Sequence, residues 1–355
     1  MPRQFNTAHA NRPEEHYTLP PLGRLPPDVR DLVDDGYYFV LHAPRQSGKT
    51  TSMLALAELL RQDGRYAVVF ASVESGRVQT TEAGIVNAVV RSLVLGARDQ
   101  VRPDEQPPAE DAGDVADPGG RLYTFLKAWA KQCPRPLVLI LDEIDCLHNE
   151  GLVSVLSQFR MGYAERPKAF PHSIAFVGRR DVSRHSPSEG EPAPVQSFMP
   201  FNIIRDSISL RPFDRTDIVA LVNQHTAAAG HVFAPVAIDL MLTLTAGQPS
   251  LVNCLAAMAT QAEPAGNLID VQQITAAKDS FVRAPLGHID VIQAVRQDDR
   301  VRRFLTLLTA SKLLLHAKPG DEERCRELGI VSGRYAEIAN PIYQELVPLW
   351  LAGPR

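Results

Sequence analysis

Apolar residues in this chain recur in two rhythms, and their alternation through the first 212 residues predicts an architecture. Residues 37–42 (YYFVLH), 66–72 (YAVVFAS), 137–141 (LVLIL) and 173–178 (SIAFVG) are short, nearly unbroken apolar runs. Continuous rather than alternating apolarity is the mark of strands covered on both faces of a parallel sheet. Between them, Met53, Leu54, Leu56, Ala57, Leu59 and Leu60 fall at helical spacing within residues 50–62, and Gly64 closes the pattern. Residues 81–95, 122–131 and 152–163 predict further helices, and residues 207–210 a short fifth strand. Strand and helix in this order predict a three-layer α/β domain around a parallel sheet.

Beyond Pro212 the rhythm becomes helical. Residues 214–229 open on an Asp214 cap, 234–245 follow, and 249–261 begin with Pro249 in the first turn, which together predict a small helical lid. Residues 288–351 read as two helices, a strand pair around 330–338 and a helix from Pro341, an order that suits a winged-helix-like domain. The expected divisions are a lead-in at 1–36, a core at 37–212, a lid at 213–285 and the C-terminal domain at 286–355. Residues 103–118 carry four prolines and six acids without a base. They predict a flexible surface insertion. Residues 181–200, with Pro187, Pro192, Pro194 and Pro200, read as a loop.

Chemistry gathers where two of these strands end. The first empties into Ala43-Pro44-Arg45-Gln46-Ser47-Gly48-Lys49-Thr50-Thr51. Small residues let such a loop curl so that its backbone N–H groups face phosphate oxygens, and the following helix adds the positive end of its dipole. This is a P-loop, with Ala43 where the strict pattern has Gly. Lys49 is expected to reach the β- and γ-phosphates and Thr50 to hold a Mg²⁺ ion. The 137–141 run ends in Asp142-Glu143-Ile144-Asp145, a Walker B pattern. Asp142 is a candidate second Mg²⁺ ligand, and Glu143 a candidate base for the attacking water.

Composition narrows the reading. The 355 residues are 45% hydrophobic, enough for a large core and two or three domains. Thirty-seven basic against 41 acidic residues give −4, so no global field draws the chain to nucleic acid or acidic lipid. Cys133, Cys146, Cys254 and Cys325 stand apart without metal-ligand spacing and are expected to be reduced core thiols. The polar N-terminus and the absence of any run near about 18 apolar residues predict a soluble, cytoplasmic chain with no membrane segment.

With both phosphate motifs placed, residues 15–262 resemble the AAA+ ATPases and the neighbouring STAND ATPases, close to the archaeal and initiator branch in which LDEID follows the Walker B strand. The resemblance implies ATP and Mg²⁺ as ligands and several further site residues. Tyr17, in the lead-in, is placed either to stack on adenine or to pin the N-terminal arm. Ser72, ending the second strand, is placed to restrain Glu143. Gly178-Arg179-Arg180-Asp181 stands where sensor 1 is usually Asn or Thr; Arg179 either meets phosphate in its place or pairs with a surface acid. Arg205, placed just before the fifth strand, either reaches a neighbouring subunit's nucleotide or is a surface residue.

Gly247-Gln248-Pro249 lacks the sensor 2 Arg and looks like the STAND pattern in which Pro249 couples nucleotide state to domain orientation; plain helix punctuation explains it too. Nine basic and nine acidic residues leave 288–351 neutral, and Asp321-Glu322-Glu323 would open its candidate recognition helix with charge of the same sign as phosphate. The resemblance therefore implies a nucleotide-controlled conformational or assembly switch acting on a protein partner, with slow or partner-stimulated ATP hydrolysis and a possible homo-oligomer. The alternative is a DNA-associated initiator or loader contacting duplex through the winged helix.

Overall fold

The computed structural model describes residues 3–7, 11–109, 117–147, 149–182, 200–284, 289–310, 317–318 and 320–353. Most of the 181–200 loop and residues 110–116 of the acidic segment lie outside the described residues. The chain divides into two compact units, one of residues 22–43 and 49–210, the other of residues 1–21, 44–48 and 211–355.

The first unit is built on a five-stranded parallel sheet in the order β2-β3-β4-β1-β5. The strands are β1 (Tyr38–His42), β2 (Ala67–Ser72), β3 (Leu137–Asp142), β4 (Ser173–Gly178) and β5 (Ile204–Ser209). Every residue of β3 and β4 is buried, as the unbroken apolar runs require. Successive side chains leave a strand on opposite faces, so Leu139 and Leu141 join one core layer while Val138 and Ile140 join the other. The first layer is filled by Val86 and Val89 of α3 (Glu82–Ala97), Phe125 and Trp129 of α4 (Pro118–Gln132) and Phe159 of α5 (Asn149–Gly162). The second is filled by Val33 of α1 (Val29–Asp34) and Met53, Leu56 and Leu60 of α2 (Lys49–Asp63). The expected three-layer α/β core is therefore present, with the carboxyl ends of β1, β3 and β4 side by side.

Two expectations are corrected. Strand β5 begins at Ile204 rather than at 207, so Arg205 lies within it. Residues 205–207 within it are polar, but it is the sheet edge and pairs with β1 through backbone groups, with an irregularity between Tyr38 and Phe39. Apolar pattern cannot register such a strand. The described start of the 103–118 segment is no loose insertion: Glu105 is fully buried, pairs with Arg135 and accepts from Arg102 N at 3.0 Å. Trp129 Nε1 donates to the Glu105 carbonyl at 2.8 Å, and Gln106 donates to the carbonyls of Ala97, Arg98 and Val101. A buried carboxylate met by a guanidinium and backbone N–H groups holds this acidic stretch against the core.

The second unit is mostly helical: α6 (Arg215–Ala229), α7 (Pro235–Thr245), α8 (Pro249–Gln261), α9 (Val271–Arg283), α10 (Ile289–Gln297), α11 (Asp299–Thr309), α12 (Asp321–Glu327) and α13 (Pro341–Ala352). A two-residue parallel pair joins β6 (Val232–Phe233) to β7 (Leu268–Ile269), and β8 (Val331–Ser332) pairs antiparallel with β9 (Glu337–Ile338). Asp214 and Asp270 cap α6 and α9. Helix α9 is an element the sequence reading lacks, although Ile274, Ala277 and Phe281 fall at helical spacing on its buried face. The charges of α12 are internally matched: Asp321 is buried and receives two bonds from Arg303 at 2.7 and 2.8 Å, Arg324 meets Asp298 and Glu327, and Arg326 meets Glu322. Asp321 therefore does not open the helix toward solvent. Cys146, Cys254 and Cys325 are buried free thiols and Cys133 is half-buried. Among the described residues no helix is long and apolar enough to cross a membrane.

The N-terminal arm belongs to this unit through a directed chain of hydrogen bonds. Glu263 O lies 3.3 Å from His231 Nε2. A carbonyl can only accept, which assigns the proton to His231 Nε2 and leaves neutral His231 Nδ1 an acceptor. His225 Nε2, 3.0 Å away, must then donate, and its Nδ1 accepts from the Tyr17 hydroxyl at 3.2 Å. Phe5 packs against both Tyr17 and His225, with ring centroids 5.0 and 4.9 Å apart. Burial and the neighbouring His231 hold the proton affinity of His225 below the ordinary imidazole value of 6.5. The unfolded chain then takes up this proton first as pH falls, so the contribution is intact above pH 6.5 and is lost below it. Thermal unfolding at pH 7.5 and 5.5 checks this: the acid-side drop in Tm is expected to shrink in His225→Gln, which keeps polar atoms without titrating, and an equal drop in both proteins would contradict it.

Candidate functional site

The site forms where buried strands end. Strand β1 delivers the chain into residues 44–48, where Gln46 (φ 57°) and Gly48 (φ 91°) take left-handed backbone conformations. Alternation of this kind turns successive N–H groups into one concavity, a nest for an anion. Helix α2 starts at Lys49, whose Nζ donates to Ala43 O at 2.7 Å and so bends back over the start of the loop. Its side chain is buried, and desolvation pulls the ammonium down to about 8 although Asp142, Glu143 and Asp145 favour its charge. Thr50 Oγ1 donates to Asp142 Oδ2 at 2.7 Å, and the other Asp142 oxygen accepts from Glu143 N at 2.9 Å. Burial raises the Asp142 carboxyl above its usual range.

Glu143 follows with φ 59°, a left-handed turn unusual outside Gly, Asn and Asp. Burial, then Asp145 and Asp142, raise its proton affinity. The expected restraint from Ser72 is not what the structure shows. Ser72 Oγ accepts from Glu74 N at 3.4 Å, while Arg77 approaches Glu143 Oε2 at 3.5 Å and Glu74 Oε1 at 3.2 Å. Arg77 sits in the turn Glu74–Val78 after β2, so no strand-end position marks it in the sequence.

Arg179 pairs with Asp145, not with a surface acid. Its backbone N–H and Nε bond the two Asp145 oxygens at 2.9 and 2.8 Å, and the two side chains are 10% and 1% exposed. Arg179 is the largest factor holding the Asp145 carboxyl below its usual range against burial. Strands β3 and β4 are neighbours in register, which brings these residues together across 34 positions of sequence.

The remaining candidates fall elsewhere. Arg205 is exposed on edge strand β5, 3.8 Å from Asp206 and over the Tyr37 ring at 5.4 Å. In the second unit the Tyr17 ring is 2% exposed, enclosed by Phe5 and His225, so a role on a base requires it to be uncovered. Gly247 (φ 72°) accepts from Phe213 N at 2.8 Å, and a Cβ there would lie 2.0 Å from Phe213 O. Gln248 bonds Tyr343 and Asn340, and Pro249 is buried at the first turn of α8. Arg45 lines a shallow hollow with Gln293, Gln297, Asp298, Arg300 and Arg324. Pro44, Ser47 and Thr51 complete the loop and the first turn of α2.

The oxygen ligands at Thr50 and Asp142 suit a hard divalent cation, and the nest with Lys49 suits phosphates, so the residues present fit a Mg²⁺-bound nucleotide. Sheet, loop and carboxylates together form an α/β P-loop NTPase core. The Walker-type ATPase PABY2304 of Pyrococcus abyssi matches this fold with a TM-score of 0.63 over 97% of this chain and 99% of that one, at 11% identity. Weaker likenesses are Cdc6p of Pyrobaculum aerophilum (TM-score 0.47, 15% identity, 94% and 97% of the two chains) and the ORC2 protein of Aeropyrum pernix (0.47, 12%, 91% and 90%). No protein-family model and no curated protein matches the chain.

The crowding at the end of β4 is testable. A Cβ on Gly178 would stand 2.6 Å from Asp145 Oδ1. Gly178→Ala is expected to cost roughly 1–3 kcal/mol, as overpacking of a buried site does. Denaturant unfolding of the full chain checks this; an unchanged midpoint would show that Asp145 has room to yield.

Proposed function

We propose that this chain binds ATP with Mg²⁺ at the P-loop, hydrolyses it, and acts as a nucleotide-controlled conformational or assembly switch for a protein partner. One observation carries the reading: Lys49, the Thr50–Asp142 pair and Glu143 come together where β1 and β3 end. Lys49, still mostly protonated at neutral pH with its value at about 8, would neutralise phosphate charge. Thr50 and Asp142 would hold Mg²⁺, whose bound charge stabilises the phosphate oxygens. Glu143 would take the proton of the attacking water, its burial making it a stronger base than an exposed carboxylate. Arg77 holds that carboxylate from one side. Arg205, exposed and lightly paired, would serve a second copy of the chain, and Pro249 would couple nucleotide state to domain orientation.

The mutual pairing of acids and bases around α12 supports a protein partner over duplex DNA, since a DNA-reading helix needs an uncompensated basic face.

Lys49→Ala is expected to abolish tight ATP binding, measured calorimetrically, while Glu143→Gln keeps binding and loses turnover by about 10²-fold or more. Equal turnover in wild type and Glu143→Gln would overturn the assigned base. Because Glu143 is shifted upward, the acid limb of the kcat/KM profile is expected to lie above the ordinary carboxyl value of 4.5, with activity falling as pH drops through it. A limb at or below 4.5 contradicts this.

A further inference from the structure

Helices α6–α9 and α10–α13 share one core. Domains that move against each other usually meet through small, polar interfaces, and motion is the default unless the interface is large and apolar. Here the junction is apolar. Tyr343, Leu346 and Trp350 of α13 are buried in one continuous cluster with Met241 of α7, Leu255 of α8 and Phe281 of α9. Helix α13 packs on α7 and α9 as well as on α10 and α11. At the rim of this junction Lys278 of α9 bonds both carboxylate oxygens of Glu345 of α13, at 2.9 and 3.0 Å. Glu345 is half exposed, so the ion pair adds little stability by itself.

Apolar packing alone tolerates sliding, whereas a buried polar network that is satisfied in one arrangement specifies that arrangement. Gln248, the residue before α8, supplies such a network. Its Nε2 donates to the Tyr343 hydroxyl at 3.2 Å, and its Oε1 accepts from Asn340 Nδ2 at 3.3 Å. Asn340 Oδ1 in turn accepts from Tyr343 N at 2.9 Å and so caps α13. Asn340 is 3% exposed and Tyr343 is fully buried. A partner lost there is not replaced by water, and the desolvation cost of the group remains. Gln248 is itself held in place: its N–H donates to Thr245 O at 3.0 Å, and the preceding Gly247 accepts from Phe213 N at 2.8 Å.

We propose that α6–α13 form one rigid body keyed at Gln248, in which the C-terminal helices have no swing of their own against the lid. Whatever displaces the lid then carries α12 and the β8–β9 hairpin with it, their arrangement unchanged. The proposal deepens the switch reading above and rests on it for the cause of the displacement, since Pro249, next to the key, is the residue that reading gives to nucleotide coupling. A protein that recognises the C-terminal surface would meet the same surface in every nucleotide state, its orientation altered but not its shape.

Double electron–electron resonance on the full chain tests this, with spin labels on Ala227→Cys of α6 and Thr306→Cys of α11, both exposed positions, in a Cys133→Ser background that removes the half-buried thiol. One narrow distance distribution is expected without nucleotide, and the same distribution with Mg²⁺ and either ADP or β,γ-imido ATP. Two populations without nucleotide, or a distance that moves when calorimetry shows nucleotide bound, overturns the proposal. If calorimetry shows neither nucleotide bound, the nucleotide reading fails, and the nucleotide-free distribution still decides the rigid body. Hydrogen exchange tests the key. Gln248→Ala withdraws a partner from Asn340 and from Tyr343, and exchange of the α13 amides is expected to speed up about tenfold. Unchanged exchange would remove Gln248 as the key. If Gln248→Ala does not fold, Tyr343→Phe, which deletes only the hydroxyl, is read in the same way.

Discussion

The arrangement that governs this protein is a cluster of charges where β1, β3 and β4 end, with Lys49, Asp142, Asp145 and Arg179 nearly enclosed and Glu143 and Arg77 partly open. Asp142, Glu143 and Asp145 occupy four consecutive positions with Ile144, and Lys49, Arg77 and Arg179 come to them from three other segments. Three carboxylates so close would repel one another and take up protons. Burial, with this repulsion added, pushes Asp142 and Glu143 upward, and only Asp145, gripped by Arg179, is held down. Removing one member of such a buried set leaves its partners uncompensated, a penalty larger than the net worth of the pair. The set is therefore tolerable only as a whole, and its remaining capacity for charge is what an anion with a divalent cation would use.

The parallel sheet makes the cluster possible. Parallel pairing of β3 with β4 and of β1 with β4 aligns their carboxyl ends, so residues distant in sequence meet without long loops. Burial of the surrounding strands lowers the local dielectric, which strengthens each contact within the cluster and penalises any unpaired group.

Much of this was legible in the sequence. The four apolar runs became β1–β4 because strands buried on both faces cannot hide their composition, and the P-loop and LDEID stand at their ends as chemistry requires. What was not legible depends on tertiary pairing. Strand β5 carries Arg205 and Asp206 directly after its first residue, side chains that backbone pairing at a sheet edge tolerates and pattern does not reveal. Glu105 reads as one more acid in a proline-rich stretch until Arg135, 30 residues on, is placed beside it. Arg77, the partner of Glu143, was missed for the same reason, and Arg179, singled out in the sequence, could not be matched to Asp145 without sheet order. Tyr17 and His225, 208 residues apart, could not be paired from sequence at all.

In the proposed switch, the chemistry of the cluster has a consequence for the whole chain, and sedimentation velocity reads it most directly. Glu143→Gln, which should retain ATP, is compared with Mg²⁺ and ATP against Mg²⁺ and ADP. The account predicts a distinct sedimentation coefficient with ATP, either a more compact or extended chain or a discrete oligomer that Arg205→Ala abolishes. Identical sedimentation with ATP, with ADP and without nucleotide, under conditions where calorimetry shows both bound, would contradict it.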